Sequence, residues 1–421
     1  MFGNTENFTD KYNFYGKHNP FELLEAYGSP LYVYNEDILR ERCREIKNLV
    51  QYKNFTPHYS IKANSNLHLL KIVREEGLHA DVMSPGELYV AMKAGFESHE
   101  LFFIPNNVSD EEMEYATHHN VLISMDSVSQ LEKYGQLNPG GKVAIRFNPG
   151  VGAGHCEKVV TGGENTKFGV DISHIETVKE VLKKYDLNLV GINQHIGSLF
   201  MESAPYIEGI KSILSIAKEF KNLEFVDLGG GFGIPYEKQS GEERLNLELL
   251  GQELDKVLEE FVKDYGKEIN IQMEPGRYIV AESSVLLGTV HTLKQNYNNK
   301  YIGTDLGFNV LQRPMLYDAH HDIEIYRKNP KQPCANETSA TEEVTIVGNI
   351  CESGDILAKN RLMPSIFEGD VLGVMDAGAY GFSMASNYNN RLRPAEILIT
   401  SEGNHRVIRT RDTLEDLVRH F

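Results

Sequence analysis

The chain has 421 residues, and its 60 acidic against 42 basic side chains give a formal net charge of -18. This length is too large for one ordinary core and fits two domains, which favours an enzyme over a small binding module. The negative charge disfavours nucleic acids and anionic membrane surfaces as partners, and no stretch approaches the roughly 18 apolar residues of a membrane span.

The N-terminal segment, Met1 to Lys17, is polar and contains no apolar signal-peptide core, which predicts a cytoplasmic protein. The cysteines are scattered without a Cys-x-x-Cys pair, so we expect neither a disulfide framework nor a zinc site, and we predict no bound metal. They are Cys43, Cys156, Cys334 and Cys351.

From residue 57 onward, short apolar runs alternate with stretches of helical periodicity. The run lengths suit buried parallel strands. Eight such runs separated by helices predict a (β/α)8 barrel, whose active site lies at the C-terminal ends of its strands. The runs are His58–Lys62, His79–Ser84, Leu101–Pro105, Val121–Asp126, Val143–Asn148, Leu189–Gly197, Phe225–Gly231 and Ile269–Pro275.

After about residue 284 the pattern changes to alternating segments with little helix between them, which predicts a β domain. We therefore predict an α/β protein with a barrel at residues 34–283 and a β-barrel-like domain at residues 284–421. Residues 1–33 are expected to join the second of these domains. Residues 329–343 are rich in Pro, Asn, Thr, Ser and Glu and predict a surface loop, and residues 412–420 predict a short helix.

Unlike polar groups end most of the predicted barrel strands. Because parallel strands place their C-terminal ends on one side of a barrel, these residues are expected to surround one pocket. They are Lys62, Asp81, Asp126, Arg146, His195, Gly229, Gly230, Gly231, Glu274 and Arg277.

Lys62 follows an apolar strand in the segment Tyr59-Ser-Ile-Lys62-Ala-Asn, where its ammonium would enter the mouth of the barrel. Partial desolvation lowers the pKa of a lysine and suits it to form a Schiff base with an aldehyde. From this feature alone, a lysine that caps the strand end in solvent is an equally good interpretation.

Three further strand ends have both a functional and a structural interpretation. The glycines 229–231 could present backbone N–H groups to a phosphate, although a lone glycine run more often forms a tight turn. Glu274 could keep a pyridine nitrogen protonated, yet with Arg277 it would more often form a structural ion pair. His195 alone would more often be a hydrogen-bonded barrel histidine than a catalytic one.

Taken together, these segments resemble the fold type III decarboxylases, which use pyridoxal 5'-phosphate (PLP) and have the alanine-racemase-like fold, and most closely the diaminopimelate decarboxylase family. The similarity extends from about Pro30 to Ile399. The matching motifs are Tyr59-Ser-Ile-Lys62-Ala-Asn, Asp81-Val-Met-Ser-Pro-Gly-Glu87, His195-Ile-Gly-Ser198, Gly229-Gly-Gly-Phe-Gly233, Glu274-Pro-Gly-Arg277, Cys351-Glu-Ser-Gly-Asp355 and Tyr380-Gly381.

The resemblance implies a role for each matching residue of the barrel. Lys62 would hold PLP covalently, Glu274 would pair with its pyridine nitrogen, and the catalytic His195 would stack on its ring. Asp81 and Arg146 would lie near the covalent bond to PLP. The phosphate would be bound by Ser198, Gly229, Gly230, Gly231 and Tyr380.

Cys351 and Glu352 lie far along the chain, in the predicted β domain. In the resembled family this motif reaches the active site of the neighbouring subunit, so the resemblance implies a homodimer with shared sites. Cys351 would be the catalytic acid that returns a proton to the substrate carbon after CO2 departs. Without the resemblance, a buried and inert cysteine is the first interpretation.

Specificity depends on the groups that receive the far end of an amino-acid substrate. A distal carboxylate requires guanidinium groups, and a distal ammonium requires a carboxylate. The resemblance implies that meso-2,6-diaminopimelate is decarboxylated to L-lysine and CO2, the last step of lysine biosynthesis. Alone, Arg313 would also be interpreted as a solvated surface arginine. The implied substrate contacts are Arg277, Arg313, Tyr317, Glu352 and Tyr380.

Other functions remain open at this point. Decarboxylases of D-lysine, D-ornithine or another basic amino acid resemble the same family closely, and one sequence does not separate them. An amino-acid racemase of this fold would favour an arginine, rather than Glu274, at the pyridine nitrogen. A non-catalytic PLP-binding regulatory protein would lack the second domain and the Cys351-Glu352 pair.

Overall fold

A computed structural model of the chain describes residues 7–150, 163, 166–327 and 341–421. Most of the surface loop predicted at 329–343 lies outside the described residues, as do Cys156 and Cys334. The chain divides into two compact units. The barrel unit comprises Arg40–Ile234 and Arg244–Ile279, and the sheet unit comprises Met1–Leu39, Pro235–Glu243 and Val280–Phe421.

Helices and strands are numbered here in chain order. The helices are α1 (Phe8–Lys11), α2 (Pro20–Tyr27), α3 (Glu36–Lys47), α4 (Leu67–Glu75), α5 (Pro85–Ala94), α6 (Asp110–His118), α7 (Val128–Leu137), α8 (Ile175–Lys184), α9 (Ser203–Ala217), α10 (Leu247–Tyr265), α11 (Arg277–Val280) and α12 (Arg313–Tyr317). The strands are β1 (Leu31–Asn35), β2 (Phe55–Ser60), β3 (His79–Val82), β4 (Leu101–Phe103), β5 (Leu122–Met125), β6 (Lys142–Arg146), β7 (Asn188–Asn193), β8 (Phe225–Asp227), β9 (Asn270–Met273), β10 (Ser284–Asn296), β11 (Asn299–Thr304), β12 (Ile323–Tyr326), β13 (Thr341–Val347), β14 (Ile356–Pro364), β15 (Val371–Val374), β16 (Ala395–Ile399) and β17 (His405–Arg409).

Strands β2 to β9 form a closed barrel in sequence order. Neighbouring strands are parallel, and the ring closes where Pro57 of β2 pairs with Met273 of β9. Each of the eight apolar runs found in the sequence overlaps one of these strands. The predicted (β/α)8 barrel is therefore confirmed.

Several helices of the barrel unit begin at residues whose side chains accept hydrogen bonds from free backbone N–H groups. The Ser84 side chain accepts from the N–H of Glu87 at the start of α5, and Ser127 accepts from Gln130 at the start of α7. Gly95 ends α5 in the left-handed conformation, which glycine adopts without strain. These local signals set where α5 and α7 begin and where α5 ends.

An apolar cluster fills part of the barrel interior. It includes Phe102, Ala144, Val190 and Phe225, none of which is more than 6 % exposed. Gly191 of β7 leaves room for the Phe225 ring, because a Cβ at this position would lie 2.0 Å from it. The interior is thus packed, as in other barrels of this type.

The sheet unit is built around β1. Leu31 pairs with Ala395 of the parallel β16 and with Leu287 of the antiparallel β10. The strand order is β14-β13-β11-β10-β1-β16-β17, and β15 pairs with β10 and β12. A separate, mostly β unit is thus confirmed as part of the fold class. Residues 412–420, predicted as a helix, contain only a 3-10 turn at Glu415–Leu417.

Neither a membrane-spanning helix nor a metal-binding cluster occurs among the described residues. No helix in this part of the chain is long and apolar enough to cross a membrane. The same residues contain no group of three or more His, Cys, Asp or Glu side chains that could hold a metal ion. The polar residues at the barrel strand ends are the candidates for the site.

Candidate active site

Lys62 lies directly beyond strand β2, in a 3-10 turn formed by Ile61–Ala63. Ile61 and Ala63 are buried, whereas Lys62 is partly exposed. The positive charge of Lys62 lowers the pKa of the Asp81 and Glu274 carboxyls. The charge of Lys62 therefore acts on both carboxyls at this end of the barrel.

Glu274 follows strand β9 and is 4 % exposed. Burial alone would raise the pKa of its carboxyl, but the adjacent His195 and the charges of Lys62 and Arg146 outweigh burial and lower this pKa to about 2. Glu274 Oε2 lies 3.5 Å from His195 Nδ1. Glu274 is therefore ionised at neutral pH in a site that is nearly closed to water.

His195 follows strand β7 at the same end of the barrel. Burial lowers the pKa of its imidazole below the ordinary value. The backbone N–H of Gly230 donates a hydrogen bond to His195 Nδ1 at 3.2 Å. An imidazole held in one orientation is suited to stacking on a flat aromatic ring.

The interpretation of the sequence did not single out Asp227, which ends strand β8. Asp227 is fully buried, and its Oδ1 accepts a hydrogen bond from the Gly229 N–H at 2.8 Å. Burial raises the pKa of the Asp227 carboxyl well above its ordinary value, and the charge of Glu274 raises it further. The rule that selects polar residues at strand ends would also have selected Asp227, since it directly precedes Leu228 and the glycines.

Ser60 is a second residue that was not foreseen. Its hydroxyl donates to Asp81 Oδ2 and lies 3.1 Å from the backbone carbonyl oxygen of Glu274, which joins β2 to β3 and to the end of β9. Burial, followed by the charge of Glu274, raises the pKa of Asp81 to about 7, although Lys62 and the Ser60 hydroxyl oppose this. Asp81 therefore changes its charge close to neutral pH, beside the lysine amine.

Arg146 ends strand β6 and supplies a buried positive charge to this group of acids. It is 5 % exposed, and burial lowers the pKa of its guanidinium while Glu274 and Asp126 raise it. The guanidinium carbon lies 4.6 Å from the centre of the Phe168 ring. The positive charge of Arg146 thus offsets part of the free-energy cost of burying the neighbouring acids.

The glycines 229–231 pass close to neighbouring backbone segments. A Cβ on Gly230 would lie 1.9 Å from the Glu274 carbonyl oxygen, and a Cβ on Gly231 would lie 2.3 Å from that of Gly197. Gly231 also has a φ of 104°, a conformation that favours glycine. The turn therefore brings bare backbone beside Gly197, as in turns that bind phosphate.

Arg277 contacts Ser198, the residue that follows Gly197. Arg277 Nη2 and Nε donate to the Ser198 hydroxyl oxygen at 2.8 Å and 3.3 Å. Arg277 is only 6 % exposed. The structure thus places Arg277, expected at the substrate, against a serine expected at the phosphate.

The barrel end contains buried acceptor atoms that lack a hydrogen bond. Among the described residues, Glu274 Oε1 and Asp227 Oδ2 are buried side-chain oxygens without a partner. An unsatisfied buried acceptor costs about 1 to 3 kcal/mol, and more when it is charged. A protonated pyridine nitrogen would satisfy Glu274, while Lys62 matches an aldehyde and the glycine turn with Ser198 matches a phosphate. The residues therefore fit PLP.

In the sheet unit, Arg313 begins α12 and is 1 % exposed. His321 Nδ1 lies 2.7 Å from the Met375 carbonyl oxygen, which must accept, so His321 Nε2 accepts from Arg313 Nη1 at 2.7 Å. The guanidinium carbon lies 4.3 Å from the centre of the Tyr236 ring. The interpretation of Arg313 as a solvated surface residue is therefore wrong. Tyr317, at the end of the same helix, is partly exposed.

Cys351 and Glu352 lie in an exposed loop between β13 and β14. The Cys351 N–H donates to Asn389 Oδ1 at 2.8 Å, and the Tyr388 hydroxyl donates to Glu352 Oε1 at 2.6 Å. Cys351 carries a free thiol that is exposed in this chain. The interpretation of Cys351 as a buried, inert cysteine is therefore wrong.

Tyr380 follows strand β15 and is partly exposed. Its φ of 56° lies in the left-handed region, which is unfavourable for a bulky residue. Nearby, a Cβ on Gly378 would lie 1.9 Å from the Val280 carbonyl oxygen. The unfavourable backbone conformation of Tyr380 thus lies two residues after a closely packed glycine.

The predicted site residues therefore form two sets. The barrel unit brings together Lys62, Asp81, Arg146, His195, Ser198, Gly229, Gly230, Gly231, Glu274 and Arg277. The sheet unit contains Arg313, Tyr317, Cys351, Glu352 and Tyr380.

Comparisons with known proteins agree with this geometry. Residues 36–281 match the family described as "Pyridoxal-dependent decarboxylase, pyridoxal binding domain". The chain is 40% identical over 407 residues to a diaminopimelate decarboxylase of Methanothermobacter thermautotrophicus, covering 94% of this chain and 92% of that protein. It is 34% identical over 412 residues to the diaminopimelate decarboxylase of Escherichia coli K12, covering 95% of each.

A solved structure with the same fold is the diaminopimelate decarboxylase of Helicobacter pylori complexed with L-lysine. It superimposes with a TM-score of 0.86 at 32% sequence identity, and the match covers 95% of this chain and 98% of that chain. The similarity thus extends over both units of the chain.

Proposed function

The chain belongs to the diaminopimelate decarboxylase family of pyridoxal-dependent decarboxylases, and we propose that it releases one carboxylate of meso-2,6-diaminopimelate as CO2 to leave L-lysine, the last step of lysine biosynthesis. The observation that carries this proposal is the buried, ionised carboxyl of Glu274 at the same end of the barrel as Lys62. The bound cofactor would supply an electron sink for the two electrons left on carbon when CO2 departs.

Lys62 would hold PLP through its amine, and Glu274 would face the pyridine nitrogen. The lowered pKa of Glu274 supports this role, because an ionised carboxylate keeps a nearby pyridine nitrogen protonated. His195 would cover one face of the ring and exclude water from it. Asp81, whose pKa of about 7 lies near neutrality, would exchange a proton beside the Lys62 amine.

The phosphate would be bound by the turn at 229–231, by Ser198 and by Tyr380. The close approach of the glycine backbones to Gly197 supports this role. Arg277 donates two hydrogen bonds to Ser198, so its positive charge would also lie near the phosphate. We keep Arg277 as a substrate contact as well, since a guanidinium has five N–H donors.

The substrate α-carbon requires a proton after CO2 departs, and we assign this step to Cys351. An exposed free thiol supports the assignment, because a proton donor must be accessible to the substrate. In the proposed cytoplasmic homodimer, Cys351 and Glu352 would enter the active site of the partner subunit. Each active site would then depend on two copies of the chain.

The distal end of meso-diaminopimelate carries both a carboxylate and an ammonium. Arg313, Tyr317 and Tyr380 would bind the carboxylate, and Glu352 would bind the ammonium. The hydrogen bond from Arg313 to His321 supports this choice, because a guanidinium fixed in one orientation can bind a carboxylate through two parallel hydrogen bonds.

A panel of substrates tests the proposed function. Purified holoenzyme is incubated with meso-diaminopimelate, D-lysine, D-ornithine or L-ornithine, and CO2 release is measured. We expect release from meso-diaminopimelate and formation of L-lysine. Absence of turnover with this substrate, together with brisk turnover of D-lysine or an ornithine, would reject the proposal in favour of another basic amino acid.

Two other functions would be recognised in the same experiment. An amino-acid racemase would change the chirality of its substrate without releasing CO2, and Glu274 in place of an arginine disfavours it. A regulatory PLP-binding protein would bind the cofactor and turn over none of the panel. The exposed Cys351-Glu352 loop disfavours that function.

A further inference from the structure

Glu352 is held by a neighbouring segment that neither the sequence motifs nor the proposed mechanism includes. The Tyr388 hydroxyl donates to Glu352 Oε1 at 2.6 Å, although both residues are exposed. Long charged side chains on a surface usually sample several rotamers, and ordering them costs about 1.5 to 2 kcal/mol of entropy. A short hydrogen bond to a carboxylate offsets part of this cost before any ligand binds.

We propose that Tyr388 is a positioning residue that orients the Glu352 carboxylate for the distal ammonium of the substrate, and so sets the preference for substrates that carry this group. The inference rests on the proposed function, since it takes Glu352 as the substrate contact. It concerns the ligand preference of the enzyme and leaves the chemical step unchanged.

Tyr388 is itself fixed by aromatic stacking. Its ring centre lies 5.6 Å from that of Phe308, with an angle of 25° between the ring planes. The Phe308 N–H donates to Asp355 Oδ1 at 2.7 Å, and the Ile350 N–H donates to Asp355 Oδ2 at 2.7 Å. Asp355 therefore anchors both the ring beneath Tyr388 and the start of the loop that carries Glu352.

The backbone around Tyr388 is tied to the same loop. Asn389 Oδ1 accepts from the Cys351 N–H at 2.8 Å, and Arg391 Nη2 donates to the Asn349 carbonyl oxygen at 3.1 Å. Asn389 has a φ of 55°, which is uncommon outside glycine. Segment 388–391 thus contacts the loop at three points, and of these the Tyr388 contact is the one that reaches the Glu352 side chain.

The hydroxyl of Tyr388 remains a hydrogen-bond donor at the pH of the assay. The hydrogen bond to Glu352 and the negative charge of that residue raise the pKa of the Tyr388 hydroxyl above its ordinary value. The tyrosine therefore stays protonated, and its hydrogen is directed to the carboxylate. Removal of this single hydroxyl would free Glu352 without removing its charge.

Two ligands isolate the effect of the distal ammonium. L-lysine and 6-aminohexanoate share a chain length, a carboxylate and a terminal amine, but 6-aminohexanoate lacks the ammonium beside the carboxylate. Titration calorimetry on the holoenzyme gives the Kd of each ligand without turnover. In Tyr388→Phe, which keeps the ring that stacks on Phe308, we expect the Kd of L-lysine to rise about threefold to tenfold. The Kd of 6-aminohexanoate should stay unchanged.

A double-mutant cycle tests whether the effect passes through Glu352. Glu352→Gln should weaken L-lysine binding, and adding Tyr388→Phe to that variant should cause no further loss, since coupled residues are not additive. Tyr297→Phe is the matched control, because Tyr297 is 98% exposed and lies between β10 and β11, where none of the predicted site residues occurs. This control should change neither Kd.

An equal rise of both Kd values in Tyr388→Phe would show a general structural role and overturn the inference, as would no change in either value. Additive losses in the double variant would also overturn it. CO2 release from meso-diaminopimelate by the unmodified enzyme is measured in parallel. Its absence rejects the proposed function, whereas the ratio of the two Kd values tests Tyr388 independently of turnover.

Discussion

Replacement of Ser60 by alanine would change the charge of Asp81 while leaving the side chains of Lys62 and Glu274 in place. The Ser60 hydroxyl donates to Asp81 Oδ2, and both residues are at most 2 % exposed. A hydrogen bond to a buried charged group contributes about 1.5 to 3 kcal/mol. Since one pKa unit corresponds to about 1.36 kcal/mol, Ser60→Ala should raise the pKa of Asp81 by about one to two units from its value of about 7.

The sign of the effect on stability follows from the direction of the shift. In the folded protein, burial and the charge of Glu274 raise the pKa of Asp81 from 3.8 to about 7, whereas Lys62 lowers it and Glu87 raises it slightly. The protonated carboxyl therefore favours the folded state. This contribution is complete below pH 3.8 and is lost as the pH rises through 7. In Ser60→Ala the loss should extend to higher pH.

The measurement is a carbon NMR titration of aspartate carboxyls in the protein without cofactor, with the Asp81 signal assigned by Asp81→Asn. Ser124→Ala is the matched control, because the Ser124 hydroxyl is also buried in the barrel but donates to the neutral Asn193 amide oxygen at 2.6 Å. Ser124→Ala should leave the pKa of Asp81 unchanged. The reasoning would be refuted if Ser60→Ala left the pKa of Asp81 unchanged, or if both variants shifted this pKa equally.

Three further predictions follow from the geometry. Gly230→Ala should destabilise the protein by about 3 kcal/mol or more and lower its melting temperature, because the new Cβ would lie 1.9 Å from a backbone oxygen. The control Gly86→Ala should leave the melting temperature unchanged, since the nearest atom to its new Cβ would lie 3.6 Å away. Lys62→Ala should abolish the visible absorbance of the bound cofactor, whereas Cys351→Ala should retain it and lower kcat by about 100-fold or more; unchanged turnover would remove Cys351 from the mechanism. Mixing these two inactive variants should restore about a quarter of the activity if subunits exchange and share sites, and no recovery despite exchange would contradict the shared site.

The sequence alone was sufficient to predict the barrel and one set of site residues. Apolar runs separated by helical stretches are a local pattern that the sequence shows directly. In a closed barrel of parallel strands, the C-terminal ends of all strands lie on the same side. Lys62, Asp81, Arg146 and Glu274 could therefore be assigned to one end of the barrel from their positions in the runs. The same rule would have included Asp227 had it been applied to every strand end.

The charges of these groups depend on the tertiary structure. Asp81, Asp227 and Glu274 are all buried acids at strand ends, yet burial and neighbouring charges raise the pKa of the first two and lower that of Glu274. A carboxyl's ionisation depends on its distance from Lys62 and His195 and on its access to water. None of these quantities can be obtained from the order of residues along the chain.

The sheet unit depends on contacts between distant parts of the chain. β1 lies between β10 and β16, so residues near the N-terminus complete a sheet whose other strands occur after residue 284. Arg313 is buried by His321 and Tyr236, and Glu352 is oriented by Tyr388, through contacts that no local pattern marks. Sequence periodicity reports which face of a segment is apolar, whereas the partner that covers that face is selected only when the whole chain folds.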